Sequence, residues 1–321
     1  LPAPSDGPYF DDLSIGDRYA SPAYTLSSGA AAVHRSIVGD RLALTLDASL
    51  ALQITGSERA IAHPALVWNI AIGQSTVVTR RVIANLFYRG LVLRRAPRLG
   101  DTLRTATEVV ALRETTRRPG RAPVGLAALR IVTTDQAQRR VLDFWRCAML
   151  PLRSGAPQTG HDDDLEAIPS GLSESDLLAS WAGWRTDSLA HTPLTVGDTW
   201  RSEGADVVSC APELARLTLN VAIAHHDRTA GRAGERLVYG GHTIGIAAAQ
   251  LTRMVPGVLT FAGWHGCDHP APVFEGDLLR SWFRVEAREG PLVHLRCRVE
   301  AERGDGHRVE VLDWRPVVVL L

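Results

Sequence analysis

Arg236-Leu-Val-Tyr-Gly-Gly-His-Thr-Ile-Gly-Ile-Ala-Ala-Ala-Gln-Leu-Thr-Arg-Met-Val255 is the stretch that decides the fold of this 321-residue chain. A Gly-Gly step opens an apolar run, and the spacing predicts a long buried helix over about Thr243 to Val255. Leu279 to Ala287, Val293 to Glu302 and Val309 to Leu320 follow it with the alternating, β-branched character of strands. The first half has the same order: a helix over about Ala65 to Thr76, then strands over Thr102 to Arg113, Val124 to Thr134 and Val141 to Pro151. One long helix followed by consecutive antiparallel strands argues an α+β domain in which the sheet wraps the helix.

The agreement extends to short blocks. Leu13-Ser-Ile-Gly-Asp17 returns as Leu194-Thr-Val-Gly-Asp198, and Leu99-Gly-Asp-Thr-Leu-Arg104 as Glu275-Gly-Asp-Leu-Leu-Arg280. Val141-Leu-Asp-Phe-Trp-Arg146 returns as Val311-Leu-Asp-Trp-Arg315. Three blocks in one order indicate a duplicated domain. The expected division is residues 1–153 and 181–321, joined by a linker and short helix over 154–180 whose Ser, Gly, Pro and Asp content suits an exposed path.

Composition narrows the function. Charges balance, so neither nucleic acid nor an anionic membrane is an expected partner. All 35 basic residues are arginine, which removes the lysine of a Schiff base or a P-loop and leaves arginine as the cation for phosphate or carboxylate. Four scattered cysteines, no long apolar span and no charged-then-apolar leader at Leu1 set the expectation of a cytoplasmic protein.

The chemistry concentrates in Leu217-Thr-Leu-Asn-Val-Ala-Ile-Ala-His-His-Asp227. Asn220, His225, His226 and Asp227 interrupt an apolar run, where polar groups are costly unless they hydrogen-bond. Imidazole titrates near neutrality and exchanges protons in both directions. The glycine turn nearby would place unpaired helix N–H groups where they can hold a developing oxyanion.

These stretches resemble the hydratase signature of the MaoC-like, R-specific enoyl-CoA hydratase family, Gly-Asp-x-Asn-Pro-x-His-x-Asp with a later His-Gly step. The resemblance implies a hot-dog fold in each half, hence a double hot dog. It sets His225 on the catalytic histidine, Gly241 on the oxyanion glycine and Asp227 on the trailing aspartate. Asn220 stands where the family has a catalytic aspartate, which leaves His225 as the acid–base group and Asn220 as an orienting one. In the first half Asp40 keeps the aspartate, but Thr45 replaces the histidine and His63-Pro64 puts proline opposite Gly241. Proline has no N–H to donate, so one site per chain is expected, in the second half.

Further residues are expected at the substrate: Asp227, His242, Trp264 and His265 from the second half, and Asp40, Tyr88, Arg89 and Arg94 from the first. Arg117, Arg118 and Arg121 form a basic hairpin loop, either solvated or facing a CoA phosphate. His265, Cys267 and His269 share one strand face, but at roughly 6.5–7 Å apart they close poorly round an ion, so no metal is expected. The resemblance requires no cofactor. Asn85-Leu-Phe-Tyr-Arg-Gly90 and Asp143-Phe-Trp-Arg-Cys-Ala-Met-Leu-Pro-Leu-Arg153 look most like the mesaconyl-CoA hydratase (β-methylmalyl-CoA dehydratase) branch. The implied activity is addition or removal of water across the α,β-double bond of an acyl thioester, carried by CoA or an acyl-carrier protein. A short branched or dicarboxylic acyl group is implied, whose free carboxylate would need an unidentified arginine. A silent acyl-CoA binding protein, a carrier-dependent biosynthetic dehydratase and a thioesterase are the alternatives. Pairing into a homodimer stays open.

Overall fold

The computed structural model describes residues 7–186, 192–231 and 234–320. The long strands are β1 (Ala84–Leu93), β2 (Thr102–Glu114), β3 (Val124–Thr134), β4 (Arg140–Pro151), β5 (Val258–Asp268), β6 (Leu278–Glu289), β7 (Leu292–Glu302) and β8 (Arg308–Leu320). They form one antiparallel sheet in the order β2-β3-β4-β1-β5-β8-β7-β6, with short pieces at Arg18–Ala20 and Thr199–Arg201 on its outer edges. The order reads the same from either end, as a duplicated domain requires. The halves join where β1 pairs with β5, Tyr88 opposite Cys267 and Leu91 opposite Trp264.

Two central helices, Pro64–Gln74 and Gly240–Met254, lie inside the curve of this sheet. Every residue of the first is buried, and so are Gly241 to Thr252 of the second. A helix that is apolar all round has no solvent face to offer and must be enclosed. The sequence placed both helices correctly but began the second at Thr243; the helix takes in the two glycines before it. This is the double hot-dog fold: two helices, each cradled by its own half of a common sheet.

The core between the helices and the sheet is aromatic. Trp68 of the first helix meets Trp264 edge-on at 5.0 Å between ring centroids, and Phe261 and Trp314 complete the cluster. Trp264, expected beside the substrate, is therefore a core residue. His265, next along β5, points to the opposite face by strand alternation and stacks on His294, with 3.0 Å between Nε2 and Nδ1. Neither lines the cavity between the two halves.

The segment after β4 is more ordered than an exposed linker. Asp163 accepts the Leu112 N–H at 2.7 Å, Leu165 is buried, and the helix Glu174–Leu178 is capped by Ser173. Leu172, Leu177, Trp181 and Trp184 cover apolar residues on the outside of the sheet, among them Leu259 and Val317. No helix among the described residues is long and apolar enough to cross a membrane.

Candidate active site

A cavity of about 220 Å³ opens between the halves. The first half supplies Ile72 and Thr76 at the end of its helix, Asn85 and Tyr88 on β1, and Arg146 on β4. The second supplies Asn220, His225, Tyr239, Gly240, Thr243 and, just after β5, His269. Ala271 and Val273 close one apolar wall. No carboxylate is among the lining residues.

The motif is a loop held open by its own hydrogen bonds. Asn220 N–H donates to Ala215 C=O at 2.9 Å, closing the preceding helix, and Leu219 takes a left-handed φ of 57° to turn the chain. Thr76 Oγ1 accepts the Val221 N–H at 2.8 Å, tying the loop to the first half. The approach is close: a methyl on Gly73 would come within 2.0 Å of Thr218 O. Asn220 Oδ1 accepts the Ala222 N–H at 2.9 Å, while its Nδ2 is buried without a partner. An unpaired buried N–H group is costly, and a ligand oxygen would remove that cost.

His225 sits on the 3-10 turn Ile223–His225. Its Nδ1 is 2.9 Å from Leu237 O. A carbonyl can only accept, so Nδ1 carries the hydrogen and Nε2 of the neutral ring is left as a base. Burial lowers its pKa to about 4, opposed by the Leu237 hydrogen bond and assisted by the His226 and Arg146 charges, so the ring is neutral at pH 7. His226 Nε2 lies 2.7 Å from Asn220 O and braces the loop.

The glycine turn corrects one assignment. The second central helix begins at Gly240, and Gly240 and Thr243, one turn apart, face the cavity. Gly241 is rotated away: a methyl there would meet Asn69 Oδ1 at 2.1 Å and the Tyr239 ring. The first helix begins at Pro64 as the second begins at Gly240, with His63 and Tyr239 as their N-caps. Pro64 thus corresponds to Gly240, not Gly241, and of the two glycines it is Gly240 that lines the cavity. Gly240 also has to be small, since a methyl would come 2.8 Å from His269 Nε2.

Other expected residues lie elsewhere. Asp227 is exposed and caps the Arg228–Ala230 turn, accepting from Thr229 N and Oγ1. His242 faces the buried interface between the halves, both ring nitrogens without a partner, and burial lowers its pKa to about 4. Arg89 binds Glu166 and covers Phe87; Arg94 binds Asp143 and Asp176. Arg117 braces its hairpin through Glu114 and the carbonyls of Ala156 and Pro157. These arginines are satisfied by partners within the fold and are not among the residues lining the cavity.

Asp40 belongs to a separate closed cluster. Its carboxylate accepts Leu42 N–H at 2.9 Å and Thr45 Oγ1 at 3.0 Å, and His63 Nε2 stands 2.8 Å away. Burial works against its ionisation, but His63 and these donors prevail and hold the pKa at about 2. The pairs Asp40–Leu42 and Asn220–Ala222 make the same turn, Thr45 falls opposite His225, and Asp47 caps a helix as Asp227 caps its turn.

Sequence reading missed Arg146, Asn85, His269, Tyr239 and Gly240. Asn85, Tyr88 and Arg146 do lie in the two stretches most like the hydratase branch. The repeat gives no signal at Arg146, because its counterpart Arg315 is exposed, beyond a register shift between Trp314 and Pro316.

No family model matches the chain. A conserved hypothetical protein from Mycobacterium tuberculosis with a double hot-dog fold superposes with a TM-score of 0.91 and 47% identity, covering 98% of this chain and 99% of that one. A protein from Chloroflexus aurantiacus described as a MaoC domain dehydratase superposes with a TM-score of 0.80 and 25% identity over 98% and 97% of the two chains. The chain belongs to the MaoC-like dehydratase family of double hot-dog proteins. Two relatives of this family carry enzyme names. The β-methylmalyl-CoA dehydratase of C. aurantiacus is 29% identical over 88% of this chain and 83% of its own, and the mesaconyl-CoA hydratase of Cereibacter sphaeroides 26% identical over 92% and 89%. In this MaoC-like chain the motif position usually held by aspartate is Asn220.

Proposed function

We propose that the protein is a hydro-lyase that adds water to, or removes it from, the α,β-double bond of an acyl thioester. A short branched or dicarboxylic enoyl-CoA such as mesaconyl-CoA is the favoured substrate. The reading rests on one observation: the bare Nε2 of a neutral, oriented His225 shares a cavity with the unpartnered Asn220 Nδ2 and the start of a helix at Gly240. In hydration, Asn220 Nδ2 holds the water and His225 takes one of its protons as the oxygen joins the β-carbon. Charge moves to the thioester oxygen, which the Gly240 N–H receives at the positive end of the helix. The α-carbon then takes the proton from the imidazolium, and neutral His225 is restored. Dehydration follows the same steps in reverse.

The size of the cavity and the names of the two curated relatives support a short acyl group. The four free cysteines agree with a cytoplasmic setting. Incubation with a panel of enoyl- and 3-hydroxyacyl-CoA thioesters is the test, followed by mass spectrometry for gain or loss of one water. Release of free thiol without that change would make the protein a thioesterase. Binding without any conversion would make it a silent acyl-CoA protein.

A further inference from the structure

The hydration scheme leaves one charged side chain in the cavity unused. Arg146 is 3% exposed, and it projects from β4 beside Tyr88, its register partner on β1. Its Nη2 donates to Thr79 Oγ1, the Tyr88 hydroxyl is within its hydrogen-bonding reach, and its Nε is buried without a partner. No carboxylate of the described residues lies within ion-pair distance of it. Two partly buried arginines show the usual answer: Arg94 meets Asp143 and Asp176, and Arg303 meets Asp277. A buried cation without a counterion is strongly unfavourable, and a fold keeps one where an anion arrives from outside. The arginine is close enough for its charge to act on His225.

We propose that Arg146, with the Tyr88 hydroxyl, binds a second carboxylate on the acyl part of the substrate, making the site selective for enoyl thioesters of short dicarboxylic acids. This rests on the hydro-lyase reading and names its selecting residue. Guanidinium suits the task because its planar fork matches a carboxylate and it remains charged when buried. Of the chain's 35 basic residues, all arginine, this one lines the cavity that contains the base.

The test compares mesaconyl-CoA with crotonyl-CoA, which lacks the second carboxylate, on the wild-type protein, Arg146→Met and Arg146→Lys. The wild type is expected to favour mesaconyl-CoA in kcat/KM by about a hundredfold. Arg146→Met should lower that substrate by about a hundredfold or more while crotonyl-CoA changes less than about tenfold, collapsing the preference; Arg146→Lys should retain part of it. Equal use of the two substrates by the wild type, or an equal fall for both in Arg146→Met, overturns the assignment. Hydration of neither by the wild type overturns the hydro-lyase reading instead. A binding arm stays informative then, and also if the variants do not fold: succinyl-CoA should raise the wild-type melting temperature more than butyryl-CoA, and equal shifts would remove the role of Arg146.

Discussion

The two motif loops of this chain share a backbone and differ in what they do with it. Around Asn220 the turn opens onto a cavity, with an imidazole base and a glycine at the helix start. Around Asp40 the same turn is sealed: Thr45 bonds back to the carboxylate, His63 pairs with it, and Pro64 removes the N–H that Gly240 keeps. The first copy is a closed hydrogen-bonded cluster, and the second leaves a ring nitrogen and an amide donor unsatisfied. A few side chains therefore decide whether one ancestral loop stabilises the protein or exposes reactive groups. At the joint between the halves the Tyr239 hydroxyl donates to Asn69 O at 2.7 Å, and His34 Nε2 lies 3.2 Å from Asn69 Nδ2.

The largest effect should come from the open loop. His225→Ala is expected to lower kcat/KM for hydration by about a thousandfold or more, the scale of losing a general base, with little change in folding. Steady-state kinetics would check this, and near-normal turnover would end the contrast between the copies. Asn220→Ala should cost less, about ten- to a hundredfold in kcat, because it removes a positioning donor.

The sealed loop should answer in stability alone. Asp40→Ala is expected to cost about 3–5 kcal/mol in urea unfolding, because it leaves His63 and two donors without a buried partner. The kcat of the remaining folded protein should be unchanged; a proportional loss of kcat would mean that the first copy takes part in the chemistry.

Acid separates the two loops along the pH axis. Desolvation holds the buried His34 at a pKa of about 3, and the buried His242 and half-buried His225 and His269 at about 4, all against 6.5 for a free side chain. The unfolded chain binds protons there that the fold refuses, so this stability is complete above pH 6.5 and falls as pH drops toward 4. Each imidazole accounts for a few kcal/mol. Asp40 acts lower down. Its folded pKa of about 2 lies below the usual 3.8, so its share, about 2 kcal/mol, is present above pH 3.8 and lost as pH falls through 2. Urea midpoints should therefore decline between pH 6.5 and 4 in both the wild type and Asp40→Asn. A flat profile there would mean that the histidines are not buried as neutral rings. The smallest effect is reserved for Asp227→Ala, which removes an exposed turn cap: kcat/KM should stay within about twofold, with a slight fall in urea midpoint.

The sequence by itself determined the two central helices, the last three strands of each half, the duplication, the family and the grouping of Asn220 with His225, but not the bounds of the two strands that join the halves. Those are properties of local periodicity and of short motifs read within one repeat. Placement on faces was decided by the tertiary structure. Trp264 went to the core and His265 to the outside because strand alternation is fixed by register, and register by partners far away in sequence. Gly240 displaced Gly241 because the exact start of a helix sets which residues share a face. Arg146 became the unpaired cation of the cavity only when β4, β1 and the second motif loop met, since neither half holds both the base and that arginine. A local pattern can show that a group is polar or basic, whereas its being unsatisfied depends on every neighbour that the fold brings near or keeps away.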